Sequence, residues 1–147
     1  MAKFEMEIPA GMIKMYERLN GETKHMLGEM TKAGAEEVLE EIKANVPESF
    51  RDSDIMGCLH LSCVYETPSD DGVNTKVAFW GYFRNKRGEI VPAELVCNVF
   101  EYGRSDGTIK KHPFVRKSFN RKKKIIEAMQ KKQDEFLDEF DREFKIT

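Results

Sequence analysis

Two long runs of helical periodicity flank a middle segment that offers only short strands, and this imbalance limits what the chain can become. Residues 22–46 repeat apolar side chains at Met26, Leu27, Met30, Ala35, Val38, Leu39, Ile42 and Val46, with Glu36, Glu37, Glu40 and Glu41 opposite. Residues 113–144 carry a second stripe of Val115, Phe119, Ile125/Ile126, Met129, Phe136/Leu137, Phe140 and Phe144, interrupted by Gln133. A few short strands cannot cover so much apolar helix. The stripes must meet each other, the sheet or a neighbouring subunit. At 147 residues the chain is long enough for one domain with a real core. The expected class is α+β, a single domain over 1–147: long N-terminal helices, a small antiparallel sheet and a long C-terminal amphipathic helix.

The punctuation refines this outline. Met12, Met15, Tyr16 and Leu19 predict a first short helix over 10–19, Asn20-Gly21 a break, and Pro47 the end of the second helix. Residues 48–57 read as a loop. Leu59 to Glu66 alternates, with Leu61, Cys63 and Tyr65 on one face and His60 and Ser62 on the other. Pro68 to Gly72 is a turn, Val73 to Phe83 the partner strand, and Arg84 to Gly88 a second turn before a short strand at Glu89–Val91, so the strand region spans 58–91. Residues 92–102 suit a short helix or a strand. Pro92-Ala93-Glu94 is good first-turn chemistry and Gly103 a good terminator, which favours the helix. A loop at 103–112 then leads to Pro113, which opens the final helix.

Charge is distributed unevenly behind a net value of −2. Residues 104–124 hold nine Lys/Arg against Asp106 alone, a net of +8, whereas residues 1–50 and 127–143 each carry −4. A basic band between acidic ends suits a polyanion, an acidic partner surface or further copies of the same chain. Within it Arg121, Lys122, Lys123 and Lys124 form the densest run. Their simplest role is the solvated face of a helix.

Reaction chemistry is not evident. His25, His60 and His112 are scattered, no nucleophile motif surrounds a Ser, Cys or Asp, and Gly81, Gly88, Gly103 and Gly107 lie too far apart for a phosphate loop. Cys58-x-His60-x-x-Cys63 invites a metal reading. On a strand, however, Cys58 and His60 share a face while Cys63 points the other way. The expectation is three reduced cysteines, no metal, no cofactor and no enzyme. No apolar run reaches the ~20 residues of a membrane span, and residues 1–7 lack the apolar centre of a signal peptide, so synthesis in the cytoplasm is expected.

The residues that say most are Glu101-Tyr102-Gly103 and Pro113-Phe114-Val115-Arg116. Gly103 permits a chain reversal, Glu101 suits pairing with loop amides or with Arg116, and Phe114 suits an apolar anchor. An acidic–aromatic–glycine segment, a polar loop and a Pro-Phe-apolar-Arg helix start also resemble the neck or tail-completion proteins of long-tailed phages and prophages, over about Val91 to Phe119. The chain departs from that pattern at Arg104, at Lys117 and after Pro47.

The resemblance implies a virion structural protein, assembled in the host cytoplasm into a six-fold neck ring that joins head to tail. Its partners would be further copies of itself, head-closure proteins and tail-terminator or tail-tube proteins, with DNA passing through the ring. Glu101, Tyr102, Gly103, Pro113, Phe114 and Arg116 would form a structural elbow. Arg121 to Lys124 would face DNA or an acidic neighbour. The alternative reading is a small nucleic-acid-binding module that uses the band 104–124.

Overall fold

The computed structural model describes residues 9–69 and 72–144; the stretch 1–8, read above for a signal peptide, lies outside them. The fold is α+β. Its first helix, α1 (Ala10–Asn45), runs 36 residues, about 54 Å. The break predicted at Asn20-Gly21 does not occur. One glycine costs a helix only about 1 kcal/mol, and the helix is braced on both sides of it. Thr23 Oγ1 donates to Leu19 O (2.6 Å), and Arg18 pairs with Glu22 and, at 3.0 Å, with Glu143 near the far end of the chain. Pro47 does stop it: Val46 has already left helical geometry at ψ 148°.

The stretch read as a loop is partly helical. It holds α2 (Glu48–Arg51) and a 3-10 turn over Asp54–Cys58, where Ser53 Oγ accepts from the Ile55 N–H at 3.4 Å. Both serve to bury Phe50 and Ile55.

Six three-residue strands follow: β1 (Leu59–Leu61), β2 (Tyr65–Thr67), β3 (Gly72–Asn74), β4 (Val77–Phe79), β5 (Tyr82–Arg84) and β6 (Ile90–Pro92). The two continuous strands predicted from 59–66 and 73–83 are therefore each interrupted. β1 pairs antiparallel with β4 (His60 opposite Ala78), and β2 with β3 (Glu66 opposite Val73). Between these ladders residues 62–64 face only 75–76, so one strand carries an extra residue. Ser62 fills the gap: its N–H donates to Lys76 O (2.9 Å) and its Oγ accepts from the Lys76 N–H (2.8 Å). The bulge breaks the alternation and leaves Cys63 exposed, whereas Cys58 is buried at the end of the 3-10 turn. β5 and β6 form a third ladder across the Arg84–Gly88 turn, where Asn85 Oδ1 accepts from the N–H groups of Arg87 and Glu89 (both 2.9 Å). The Pro68–Gly72 turn includes residues 70 and 71, outside the described set.

Residues 93–102 resolve as a helix, α3 (Ala93–Tyr102). The long final helix predicted over 113–144 is instead two: α4 (Phe114–Phe119) and α5 (Lys122–Phe144), parted at Asn120 and Arg121. This break lets α4 pack into the core while α5 lies antiparallel along α1. The crossing point is Gly34. A Cβ there would stand 3.0 Å from Met129 Cγ and 3.1 Å from its sulfur, so the missing side chain lets the helices close. Val38, Ile42, Val46, Phe50, Ile55, Phe79, Ala93, Cys97 and Phe114 form one core where the lower end of α1 meets the strands, α3 and α4. Burial of each large member contributes roughly 1.5–3 kcal/mol. Along α5 only Phe140 is buried, and Ile126 and Leu137 remain exposed.

Candidate functional site

The two halves of the sequence motif meet at the α3–α4 elbow. Pro92 precedes α3 and Pro113 precedes α4, each supplying a fixed φ before a helix whose first N–H groups need outside acceptors. For α4 that acceptor is Glu101. Its Oε2 accepts from the Val115 N–H (2.9 Å), and its Oε1 accepts from the Arg116 N–H (3.0 Å) and from Arg116 Nε (3.2 Å). The Glu101 side chain is 4% exposed and that of Arg116 59%. Glu101 thus acts from α3 as a cap for α4; the amides it engages belong to the first turn of α4 and not to the loop, and it also engages the Arg116 side chain. The carboxylate also sits where the helix dipole favours negative charge.

Gly103 closes α3. It adopts φ 77°, ψ 177°, and its N–H donates to Val99 O at 2.8 Å. A Cβ there would approach Lys111 N to 2.9 Å and Ile109 O to 3.0 Å, so conformation and space both demand glycine. The loop folds back over it: the Arg104 N–H donates to Ile109 O (2.9 Å) and the His112 N–H to Phe100 O (2.7 Å). At the loop tip Asp106 accepts from Thr108 Oγ1 (2.6 Å) and the Thr108 N–H (3.0 Å), and these bonds hold its carboxyl below the usual range.

Phe114 is fully buried, with edge-on contacts to Phe50 (5.5 Å between centroids) and Phe79 (6.0 Å). Tyr102 is exposed, and the Arg116 guanidinium lies 5.0 Å from its ring centre. So the six residues of the motif are brought together at one elbow: Glu101 and Phe114 inside, Gly103 and Pro113 at the turns, Tyr102 and Arg116 on the surface.

The basic run is divided. Arg121 Nε and Lys124 Nζ lie 3.6 Å and 3.4 Å from the two oxygens of Glu41 on α1, whose side chain is only 14% exposed. Lys123 is 3.9 Å from Glu127. Lys110, Lys111, Lys117 and Lys122 are exposed and have no acidic partner among the described residues.

Two polar residues of the elbow, Ser118 and Asn45, were not singled out from the sequence. Ser118 is fully buried; its Oγ donates to Phe114 O (2.7 Å) and lies 3.4 Å from Asn45 Nδ2. Asn45, the last residue of α1, also has its carbonyl 3.3 Å from His112 Nε2. Glu41 was legible only as one of four acids opposite the apolar stripe. Spacing could have flagged Ser118, which lies one helical turn after Phe114.

Burial, reinforced by the Glu101 and Glu94 carboxylates, pushes the Cys97 thiol up to about 12, so it is poorly suited to nucleophilic attack. Among the described residues no three His, Cys, Asp or Glu side chains converge to hold a metal ion, and no helix is long and apolar enough to cross a membrane. Compared with models of known protein families, with curated proteins and with solved structures, the chain matches none.

Proposed function

We propose that this chain is a structural subunit of the neck of a long-tailed phage or prophage particle, part of a six-fold ring that joins head to tail. The observation that carries the proposal is the capping of α4 by Glu101, which joins the two segments on which the family resemblance rests. A motif whose members serve as cap, turn and anchor is spent on shape, as expected of a scaffold. It presents Tyr102 and the loop 103–112 outward for a neighbouring copy, a head-closure protein or a tail-terminator or tail-tube protein. In such a ring the outward lysines would face passing DNA or an acidic partner.

The test is electron microscopy of particles that carry an epitope tag on this chain. Tag density in a ring at the head–tail junction is expected and would give its symmetry. Density elsewhere on the particle overturns the reading.

A second reading, a nucleic-acid-binding module, is favoured by the exposed lysines Lys110, Lys111, Lys117 and Lys122, which have no acidic partner among the described residues. It requires that a duplex probe bind the purified chain and be released steeply by salt. Arg121→Ala and Lys124→Ala, already engaged by Glu41, should then weaken binding less than Lys117→Ala and Lys122→Ala.

A further inference from the structure

Beside the elbow the core opens into a cavity of about 350 Å³ lined by Phe50, Ile55, Phe83, Val96 and Phe100. Lys86 and Arg87, from the β5–β6 turn, stand at its edge. Both are exposed and neither has an acidic partner among the described residues; the acid of that turn, Glu89, is engaged by Asn85 Nδ2 at 2.9 Å. The site therefore asks for an apolar occupant flanked by negative charge.

One segment of this chain has that chemistry. Residues 4–8 read Phe4-Glu5-Met6-Glu7-Ile8. In an extended chain Phe4, Met6 and Ile8 share one face and Glu5 and Glu7 the other. They cannot reach the cavity of their own subunit. They precede Pro9, at the start of α1, whereas Ser49 and Phe50 of the cavity follow its other end, about 54 Å away. Five residues span at most about 18 Å.

We infer that residues 4–8 of one subunit dock in the Phe50–Phe83–Phe100 cavity of the next, with Glu5 and Glu7 against Lys86 and Arg87. Each subunit then donates one arm and receives one. Such a head-to-tail contact closes into a ring when its rotation permits. The inference rests on the neck reading for that closure, while the docking stands on charge, shape and reach.

Sedimentation velocity on full-length chains tests it by charge exchange. The unaltered chain should associate. Glu5→Lys/Glu7→Lys and Lys86→Glu/Arg87→Glu should each weaken association by about tenfold or more. A chain carrying all four substitutions should recover it, as should an equimolar mixture of the two double variants. Far-UV circular dichroism of each variant checks that the fold is intact. An unaltered chain that stays monomeric at high micromolar concentration overturns the inference, as do double variants that associate undiminished or a fourfold variant that does not recover. The tagged-particle image reports separately on the neck reading. A junction ring built equally well by either double variant removes the docking and leaves the neck; recovery by charge exchange without a junction ring removes the neck and leaves the docking.

Discussion

Glu101 and Arg116 are joined twice, once through the main-chain N–H of Arg116 and once through its guanidinium, and the two bonds differ in what they support. The first lies in a partly buried helix start, on a carboxylate that is itself buried. The second ends on a side chain that is mostly in solvent, where an ion pair contributes little.

Glu101→Ala should therefore destabilise the chain by about 2–4 kcal/mol, because it leaves the Val115 and Arg116 N–H groups without their acceptor. Arg116→Ala should cost under about 1 kcal/mol. Urea denaturation of both variants checks this. Equal losses would mean that the ion pair, and not the cap, holds the elbow.

Gly103→Ala should cost about 2–4 kcal/mol. The new Cβ meets both a left-handed φ of 77° and the main chain of Lys111 at 2.9 Å. Gly107 also has a positive φ, 74°, but open space around it. Gly107→Ala should cost only about 1 kcal/mol. The difference between the two variants in thermal unfolding isolates the close approach from the dihedral.

Gly34→Val should push α5 away from α1 at Met129 and destabilise by about 1–3 kcal/mol. Met129→Ala in the same chain should return part of that loss, since it removes the two nearest atoms and leaves only Ile125 Cγ2, at 3.3 Å, against the new side chain. A double-mutant cycle measures the coupling. Strict additivity would show that the helices do not close at this point.

Cys97 sets an alkaline limit. Its thiol is raised from 9.0 to about 12 in the folded chain, so the unfolded chain gives up this proton first as the pH rises. The stability that Cys97 contributes is complete below about pH 9 and is lost between about pH 9 and 12, with a slope of up to about 1.4 kcal/mol per pH unit. The measurement is the difference between the unaltered chain and Cys97→Ala. The variant's stability should fall less steeply with pH. In the unaltered chain at pH 8, an alkylating reagent should modify exposed Cys63 quickly and Cys97 only through unfolding.

The helix boundaries set by proline and glycine were legible because those signals are local. Pro47, Pro92, Gly103 and Pro113 each act on their own backbone, and helix boundaries fall beside all four. The failures lie where a tertiary contact outweighs local preference. Asn20-Gly21 reads as a stop, yet α1 lies against α5 on both sides of it, at Arg18 beside Glu143 and at Gly34 beside Met129. The stripe from Val115 to Phe144 reads as one helix, yet burying Phe114 and aligning α5 with α1 demand different directions, and the chain divides at Asn120. Strand periodicity around Cys63 failed because a bulge turns on one serine hydroxyl, which a period of two does not register. In the elbow the motif residues were visible by type. The partners Glu41, Asn45 and Ser118 were not, because each depends on which helix lies opposite.

The uninterrupted run of α1 sets two surfaces of the chain far apart. Its tip, with Met12, Ile13 and Tyr16 exposed, stands about 54 Å from Asn45. Asn45 touches Ser118 of α4 and His112 of the loop. One continuous helix thus carries an exposed apolar tip at one end and, at the other, the Asn45 contacts that tie α4 and the 103–112 loop to it.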